Sequence, residues 1–276
     1  MKIAVCIKQV PDTTDVRINP ETNTLIREGV ESIINPVDLH AVEEAVRIRE
    51  CLPESEVCVV SMGPGQVQHA LREAMSIGVY EALLLSDPAF AGADTWSTSL
   101  TLAALFQQLQ PDLVLTGKQA IDGDTAQVGP GIAAHLNWPQ ACYVTAVREL
   151  TEKRAVVERV MDHGREVLEI ELPAVLTVAQ GLNEPRLPTL KDKLRAQRAP
   201  IRCVGLDDID ADPNEVGLEG SPTRVARIFA PPKRQAGEIL QGNTPDEVAG
   251  TLLSRLSAND VLPRPLQPRH RHECMS

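Results

Sequence analysis

From residue 1 to about 145 the chain alternates short β-branched runs with segments of helical periodicity. That alternation leaves few folds open besides a doubly wound, mostly parallel sheet with helices on both faces. Strands are predicted at Ile3–Lys8, Val57–Ser61, Ala82–Leu85, Leu113–Leu115 and around Cys142–Val147. Helices are predicted over Val37–Arg49, from Asp94 or Thr95 as cap to about Leu109, and from about Ala126 to Leu136. Val67, Ala70, Leu71, Ala74 and Met75 follow an i, i+3, i+4, i+7, i+8 stripe, with Gly78 placed to end that helix. Val16–Ile18 and Thr24–Ile26, around Asn19–Asn23, read as a small hairpin.

After residue 148 the pattern changes. Arg154–Val160 and Glu166–Glu171 read as antiparallel strands joined at Asp162-His163-Gly164, with Pro173–Val178 a further buried strand. From about 182 the chain is rich in Pro and Arg, Pro231-Pro232 excludes regular sheet interior, and a short helix is expected at Pro245–Leu256. We therefore divide the chain into an α/β domain, residues 1–200, and a C-terminal arm, residues 201–276, with a flexible tail from 262. An arm of that length is expected to pack on a partner.

Composition excludes several classes. A net charge of -11 argues against a general nucleic-acid binder. No run of about 18 apolar residues occurs, so membrane insertion is not expected and a cytoplasmic location is. The six cysteines form no C-x-x-C pair, which suits reduced thiols better than disulfides or a metal site. With only 3% aromatic residues, a bound ring must be held by backbone and aliphatic groups.

One segment concentrates the chemistry. Gly117-Lys118-Gln119-Ala120-Ile121-Asp122-Gly123-Asp124-Thr125-Ala126-Gln127-Val128-Gly129-Pro130 joins a strand to a helix. Open α/β sheets bind ligands beyond the carboxyl ends of their strands. Gly117 and Gly123 permit close backbone approach or positive φ, and Asp124 or Thr125 is suited to cap the helix. Free amides at such a helix mouth can seat a phosphate. The loop has neither a Walker A lysine pattern nor G-x-G-x-x-G, so an ordinary capped helix stays open beside the nucleotide seat. Asn35-Pro36-Val37-Asp38 and Ser61-Met62-Gly63-Pro64 are turns expected at the same sheet edge.

These strings, together with Leu182-Asn183-Glu184-Pro185-Arg186, resemble the beta subunit of electron-transfer flavoproteins, from residue 1 to about 260. The resemblance implies an adenine-nucleotide-binding fold and a heterodimer with an alpha subunit that carries a redox-active FAD. Carried over by residue, the site would use Cys6, Asn35, Pro36, Val37, Asp38, Met62 and every residue from Gly117 to Val128. Cys6 and Met62 would line the adenosine pocket, and Gly123 to Val128 would cradle phosphate. Leu182–Arg198 resembles the family's recognition loop for partner dehydrogenases, with Leu190 as apolar anchor; a plain surface helix is the alternative.

The family divides by what the beta site holds, a structural AMP or a second FAD. Asp122-Gly123-Asp124-Thr125-Ala126-Gln127-Val128-Gly129-Pro130, Ala93-Asp94-Thr95 and Gly220-Ser221-Pro222-Thr223 resemble the electron-bifurcating type, which implies FAD and oxidation of NADH there. In the housekeeping alternative AMP is structural and only the alpha FAD is redox-active. A stand-alone nucleotide-binding stress protein would need no long arm. An adenylating enzyme of related fold would carry a Ser/Gly phosphate loop where Lys8-Gln9-Val10-Pro11-Asp12 stands. No catalytic acid, base or nucleophile is expected. His270, His272 and Cys274 are read as part of a basic tail, not as metal ligands.

Overall fold

The computed structural model describes residues 1–12, 17–18, 25–26, 32–226, 237–259 and 261, which fall into two compact units, 1–229 and 230–276. In the first unit the strands are β1 (Lys2–Cys6), β2 (Gln9–Pro11), β3 (Arg17–Ile18), β4 (Leu25–Ile26), β5 (Ser32–Ile34), β6 (Glu56–Met62) and β7 (Glu81–Leu85). They continue with β8 (Leu113–Gly117), β9 (Gln140–Leu150), β10 (Arg154–Met161), β11 (Gly164–Glu171), β12 (Ala174–Val178) and β13 (Arg202–Val204). Its helices are α1 (Pro36–Cys51), α2 (Gln68–Ser76), α3 (Thr95–Leu109), α4 (Val128–Leu136) and α5 (Leu190–Arg198).

The main sheet runs β11-β10-β9-β12-β8-β1-β6-β7-β13. From β9 to β13 every pairing is parallel, and β10 and β11 are added antiparallel. The predicted fold class is thus what the chain adopts. The period-2 alternation of the strands feeds two cores. Ile3, Val5, Val57, Val59, Leu113 and Leu115 bury against α1 and α2, whereas Ala4, Val60 and Val114 bury against α3 and α4. Both faces are covered, which is why these strands read as continuous apolar runs.

The β3–β4 pairing (Arg17 opposite Ile26) agrees with the expected hairpin, whose turn lies outside the described residues, as do Pro231-Pro232 and the tail from 262. Residues 202–204 return to the sheet as β13 beside β7. The β10–β11 hairpin forms where Asp162-His163-Gly164 marked it, Gly164 taking φ 145°. Its strands carry opposed charges: Arg159 pairs with Glu166 at 2.7 Å, Arg165 with Glu158 at 2.8 Å, and Arg154 with Glu169 at 2.5 Å.

In the second unit a helix, α6 (Pro245–Ala258), starts with Thr244, whose hydroxyl accepts the Glu247 N–H at 3.3 Å, and with Pro245 in its first turn. Among the described residues no helix is long and apolar enough to cross a membrane.

Candidate functional site

Parallel strands β1, β6 and β8 end side by side at Cys6, Met62 and Gly117, so their carboxyl ends share one edge. Chain leaving that edge must be shaped by side chains, because the ladder stops there. The organiser is a buried pair. Asn35, fully buried, donates from Nδ2 to Asp38 Oδ1 at 2.9 Å and to the Gln119 carbonyl at 2.9 Å, and its Oδ1 accepts the Ile121 N–H at 3.2 Å. Asp38 Oδ2 accepts the Lys8 N–H at 2.8 Å. One amide and one carboxylate thereby tie the turn after β1, the start of α1 and the loop after β8 into a single structure.

Gly117 is required by this approach. A Cβ there would overlap the Asp38 carboxylate and lie 2.9 Å from its backbone nitrogen and 3.0 Å from the Val37 carbonyl carbon. Burial pushes the Asp38 carboxyl up to about 7, although hydrogen bonds from Asn35 and from the Lys8 and Gly117 amides, with the Lys8 charge, favour its ionised form. Burial, and then the Asp38 charge, raise the half-buried Cys6 thiol, which makes it a lining group and not a nucleophile. Met62 is half-buried at the neighbouring strand end, and Pro36 and Val37 open the first turn of α1.

The loop from 118 to 127 then crosses the edge toward the α3–α4 face. Lys118 donates its N–H to the Val178 carbonyl at 2.8 Å, and its ammonium lies 5.0 Å from the centre of the Tyr143 ring. Ala120 accepts the Asp124 N–H at 2.8 Å, Ile121 is exposed, and Asp122 pairs with Lys8 Nζ at 2.7 Å. Two expectations need correction here. Neither Asp124 nor Thr125 caps the helix, and the helix starts at Val128 and not near Ala126. Asp124 and Ala126 both take φ 54°, which a right-handed helix cannot include, and the Asp124 carboxylate is engaged by the Gln119 side-chain amide. Gly123, by contrast, has no positive φ; it provides open space, the nearest atom to an added Cβ being Lys8 Nζ at 4.0 Å.

The mouth of α4 is consequently bare. Gln127 stands at the cap position with no side-chain hydrogen bond to the helix, Gly131 N–H bonds to the Gln127 carbonyl at 2.8 Å, and Pro130 has no N–H. The Val128 and Gly129 amides are left without intrahelical partners, at the positive end of the helix dipole. Helix α4 sits close to its neighbours because Gly129 and Gly131 have no side chains: a Cβ would overlap Thr177 at the first and Ser99 at the second. An uncapped mouth, an opening at Gly123 and the Lys8 ammonium nearby are together suited to a phosphate group.

The structure therefore gathers Cys6, Asn35 to Asp38, Met62 and Gly117 to Val128 at one edge. Leu190 is not part of that cluster. It begins α5, which packs on α2, and is 75% exposed beside the exposed Leu187 and Leu194. The segment before α5 is fastened to α1: Asn183 Nδ2 donates to Glu44 at 2.9 Å, and Arg186 forks onto the buried Glu43 (2.8 and 3.0 Å) and onto Glu50. Sequence reasoning missed Lys8 as a site residue, whose signal was a basic residue just past the end of β1; Thr95, named within Ala93-Asp94-Thr95 by the resemblance, adds a hydrogen bond from its Oγ1 to Gln127 Oε1 at 3.3 Å.

Comparison with known proteins follows the same outline. The electron transfer flavoprotein domain model matches residues 22–209. A caffeyl-CoA reductase-Etf complex subunit, CarD, of Acetobacterium woodii is 48% identical over 95% of this chain and 100% of its own length. An electron transfer flavoprotein subunit beta of Thermoanaerobacterium thermosaccharolyticum is 49% identical over the same shares. Protein FixA of Azotobacter vinelandii is 41% identical over 93% of this chain and 94% of its own.

Proposed function

The chain belongs to the electron transfer flavoprotein family as a beta subunit, and we propose that its sheet-edge cradle holds FAD, as in an electron-bifurcating member. Beta subunits of this family pair with an alpha subunit, and their work is electron transfer through flavin.

The observation that carries the proposal is the bare mouth of α4 beside the opening at Gly123. In this reading the Val128 and Gly129 amides bind a phosphate oxygen, and the Lys8 ammonium turns from Asp122 toward the same charge. Asn35 and Asp38 keep the loop in shape, so that the amides are already aimed when the ligand arrives. Cys6 and Met62 supply an apolar wall for the adenosine, as a chain poor in aromatic side chains requires. When bound, the flavin supplies acceptance of an electron pair from NADH and release of single electrons, to the alpha-subunit FAD and to a low-potential acceptor. The residues at this edge orient and neutralise; none is a proton donor to the reaction.

Two further parts belong to the same proposal. Residues 182–198, with Leu190 as apolar anchor, dock a partner dehydrogenase or reductase. The name of the Acetobacterium relative, which puts that protein in a complex with a reductase, supports this. The C-terminal arm packs on the alpha subunit. The test is to release and quantify the cofactors of the purified heterodimer. Two FAD per heterodimer is the expected result; one FAD with one AMP overturns the FAD reading and assigns the protein to the housekeeping type.

A further inference from the structure

Helix α1 starts without a side-chain cap of its own. Asn35 stands at the cap position and is a residue type suited to it, but its side chain makes no hydrogen bond to the free amides of the first turn. Its amide is held instead by Asp38 and by Gln119 and Ile121 of the cradle loop. Order in that loop and order in the first turns of α1 are therefore one equilibrium.

A second buried asparagine sits on the same turns. Asn183, 8% exposed, donates from Nδ2 to the His40 carbonyl at 3.0 Å and to Glu44 at 2.9 Å. His40 Nδ1 lies 3.0 Å from the Asn183 carbonyl oxygen and 3.1 Å from its Oδ1; both are acceptors, so Nδ1 carries the proton and donates. Arg186 continues the contact along α1, to Glu43 and Glu50. The chain also reaches Asn183 from the cradle side. Val178, the last residue of β12, accepts the N–H of Lys118 at the start of the loop, and the Leu182 N–H then closes a turn on the Ala179 carbonyl at 3.3 Å. The root of residues 182–198 is thus held by the two pieces that shape the cradle.

Further on, α5 is fastened independently to α2. Arg72 Nη1 donates to the Ala196, Gln197 and Ala199 carbonyls at 2.7, 3.1 and 3.0 Å, and Arg195 donates to those of Met75 and Val79 at 2.7 and 3.1 Å. Each helix supplies an arginine to the carbonyl end of the other.

We propose, resting on the reading of this edge as a nucleotide site and of residues 182–198 as a docking segment, that Asn183 is a positioning residue that couples the two. A nucleotide that clamps the loop stops the start of α1 from fraying, and with it the loosening of the groups that hold Asn183. Filling the cradle therefore stiffens the docking segment, and by linkage a protein that grips residues 182–198 tightens the nucleotide by the same factor.

Amide hydrogen exchange of the heterodimer, stripped of cofactors and then supplied with AMP or with FAD, tests this. Residues 117–128 report occupancy of the cradle, and residues 182–198 report the coupling. In the wild type both are expected to slow, the second by about fivefold. Nucleotide that leaves 117–128 unprotected overturns the reading of the site. Nucleotide that protects 117–128 but not 182–198 overturns the coupling and leaves the site standing.

Asn183→Ala is expected to abolish the response of 182–198 while 117–128 still slow. Glu44→Ala, which removes one partner of Asn183, is expected to reduce the response to about twofold, and it decides the matter if the Asn183 variant leaves the segment unfolded; a full response there overturns the coupling. Arg72→Met loosens α5 from α2 without touching α1, so it should speed exchange in α5 with and without nucleotide yet keep the fivefold response. A full response in Asn183→Ala, or an equal loss of response in Arg72→Met, likewise overturns the role of Asn183.

Discussion

Gly117, which ends β8, and Gly123, in the loop that follows, have opposite requirements, and substituting each by alanine separates the fold of the site from its binding. At Gly117 the new methyl would overlap the Asp38 carboxylate and press on backbone atoms of Val37 and Asp38 at 2.9 to 3.0 Å. The first turn of α1 has to move, because backbone cannot turn aside as a flexible side chain can. Overpacking of this kind costs about 1–3 kcal/mol, and loosening the buried Asn35–Asp38 bonds adds about 1–2 kcal/mol. For a unit of this size a loss of about 2–5 kcal/mol lowers the melting temperature by roughly 5–15 °C. At Gly123 the methyl meets nothing closer than Lys8 Nζ at 4.0 Å, so Gly123→Ala should melt within about 2 °C of the wild type. Thermal unfolding of the purified heterodimer, with and without added nucleotide, measures both. Gly117→Ala should melt low with or without nucleotide. Gly123→Ala should keep its stability without ligand but lose most of the stabilisation that nucleotide confers, since its methyl occupies the cradle. A Gly117→Ala protein as stable as the wild type, or a Gly123→Ala protein with undiminished nucleotide response, refutes the geometry on which the site is built.

Other perturbations test other parts. Because the Asp38 carboxyl titrates at about 7 when folded and near 3.8 when unfolded, its contribution is fully present below the unfolded value and is lost as pH rises through 7. The difference in unfolding free energy between wild type and Asp38→Asn should therefore move in the variant's favour, by up to about 4 kcal/mol, between pH 4 and 8; a flat difference in denaturant titrations rules this out. Lys8→Gln breaks an exposed pair, so stability should change by less than about 1 kcal/mol, while nucleotide affinity measured by titration falls about tenfold. Arg186→Ala leaves the buried Glu43 with Arg47 as its remaining arginine partner and should cost about 2–3 kcal/mol in urea unfolding; Arg186→Lys should not restore it, since the fork is lost.

The parts of this molecule that were legible in the sequence are those whose physics is local. The strands from Ile3, Val57, Ala82 and Leu113 announced themselves because both faces are covered, so their residues are apolar throughout. The amphipathic stripe of α2 and the Asp94 cap of α3 depend on residues within one or two turns of each other. The loop after β8 could be located but not shaped. Asp124 is an ordinary capping residue by type, yet here it takes positive φ and is engaged by Gln119, five residues earlier, a choice set by how Asn35 pins Gln119 and Ile121 from across the edge. Lys8 meeting Asp122 across 114 positions, and Asp94 meeting Thr223 across 129, are products of the topology, and nothing within either segment says which other segment it will meet.

The sheet stops in a particular way at both margins. The outer strand on one side, β11, bears Arg165, Glu166, Glu169 and Glu171, several already committed to cross-strand partners, and the outer strand on the other side, β13, is three residues long. A foreign strand that tried to extend this sheet would have to desolvate charge at one end and would find almost no template at the other. For a subunit that works through other proteins, such margins direct association to shaped side-chain surfaces, where recognition is selective, and away from backbone pairing, where any extended peptide would do.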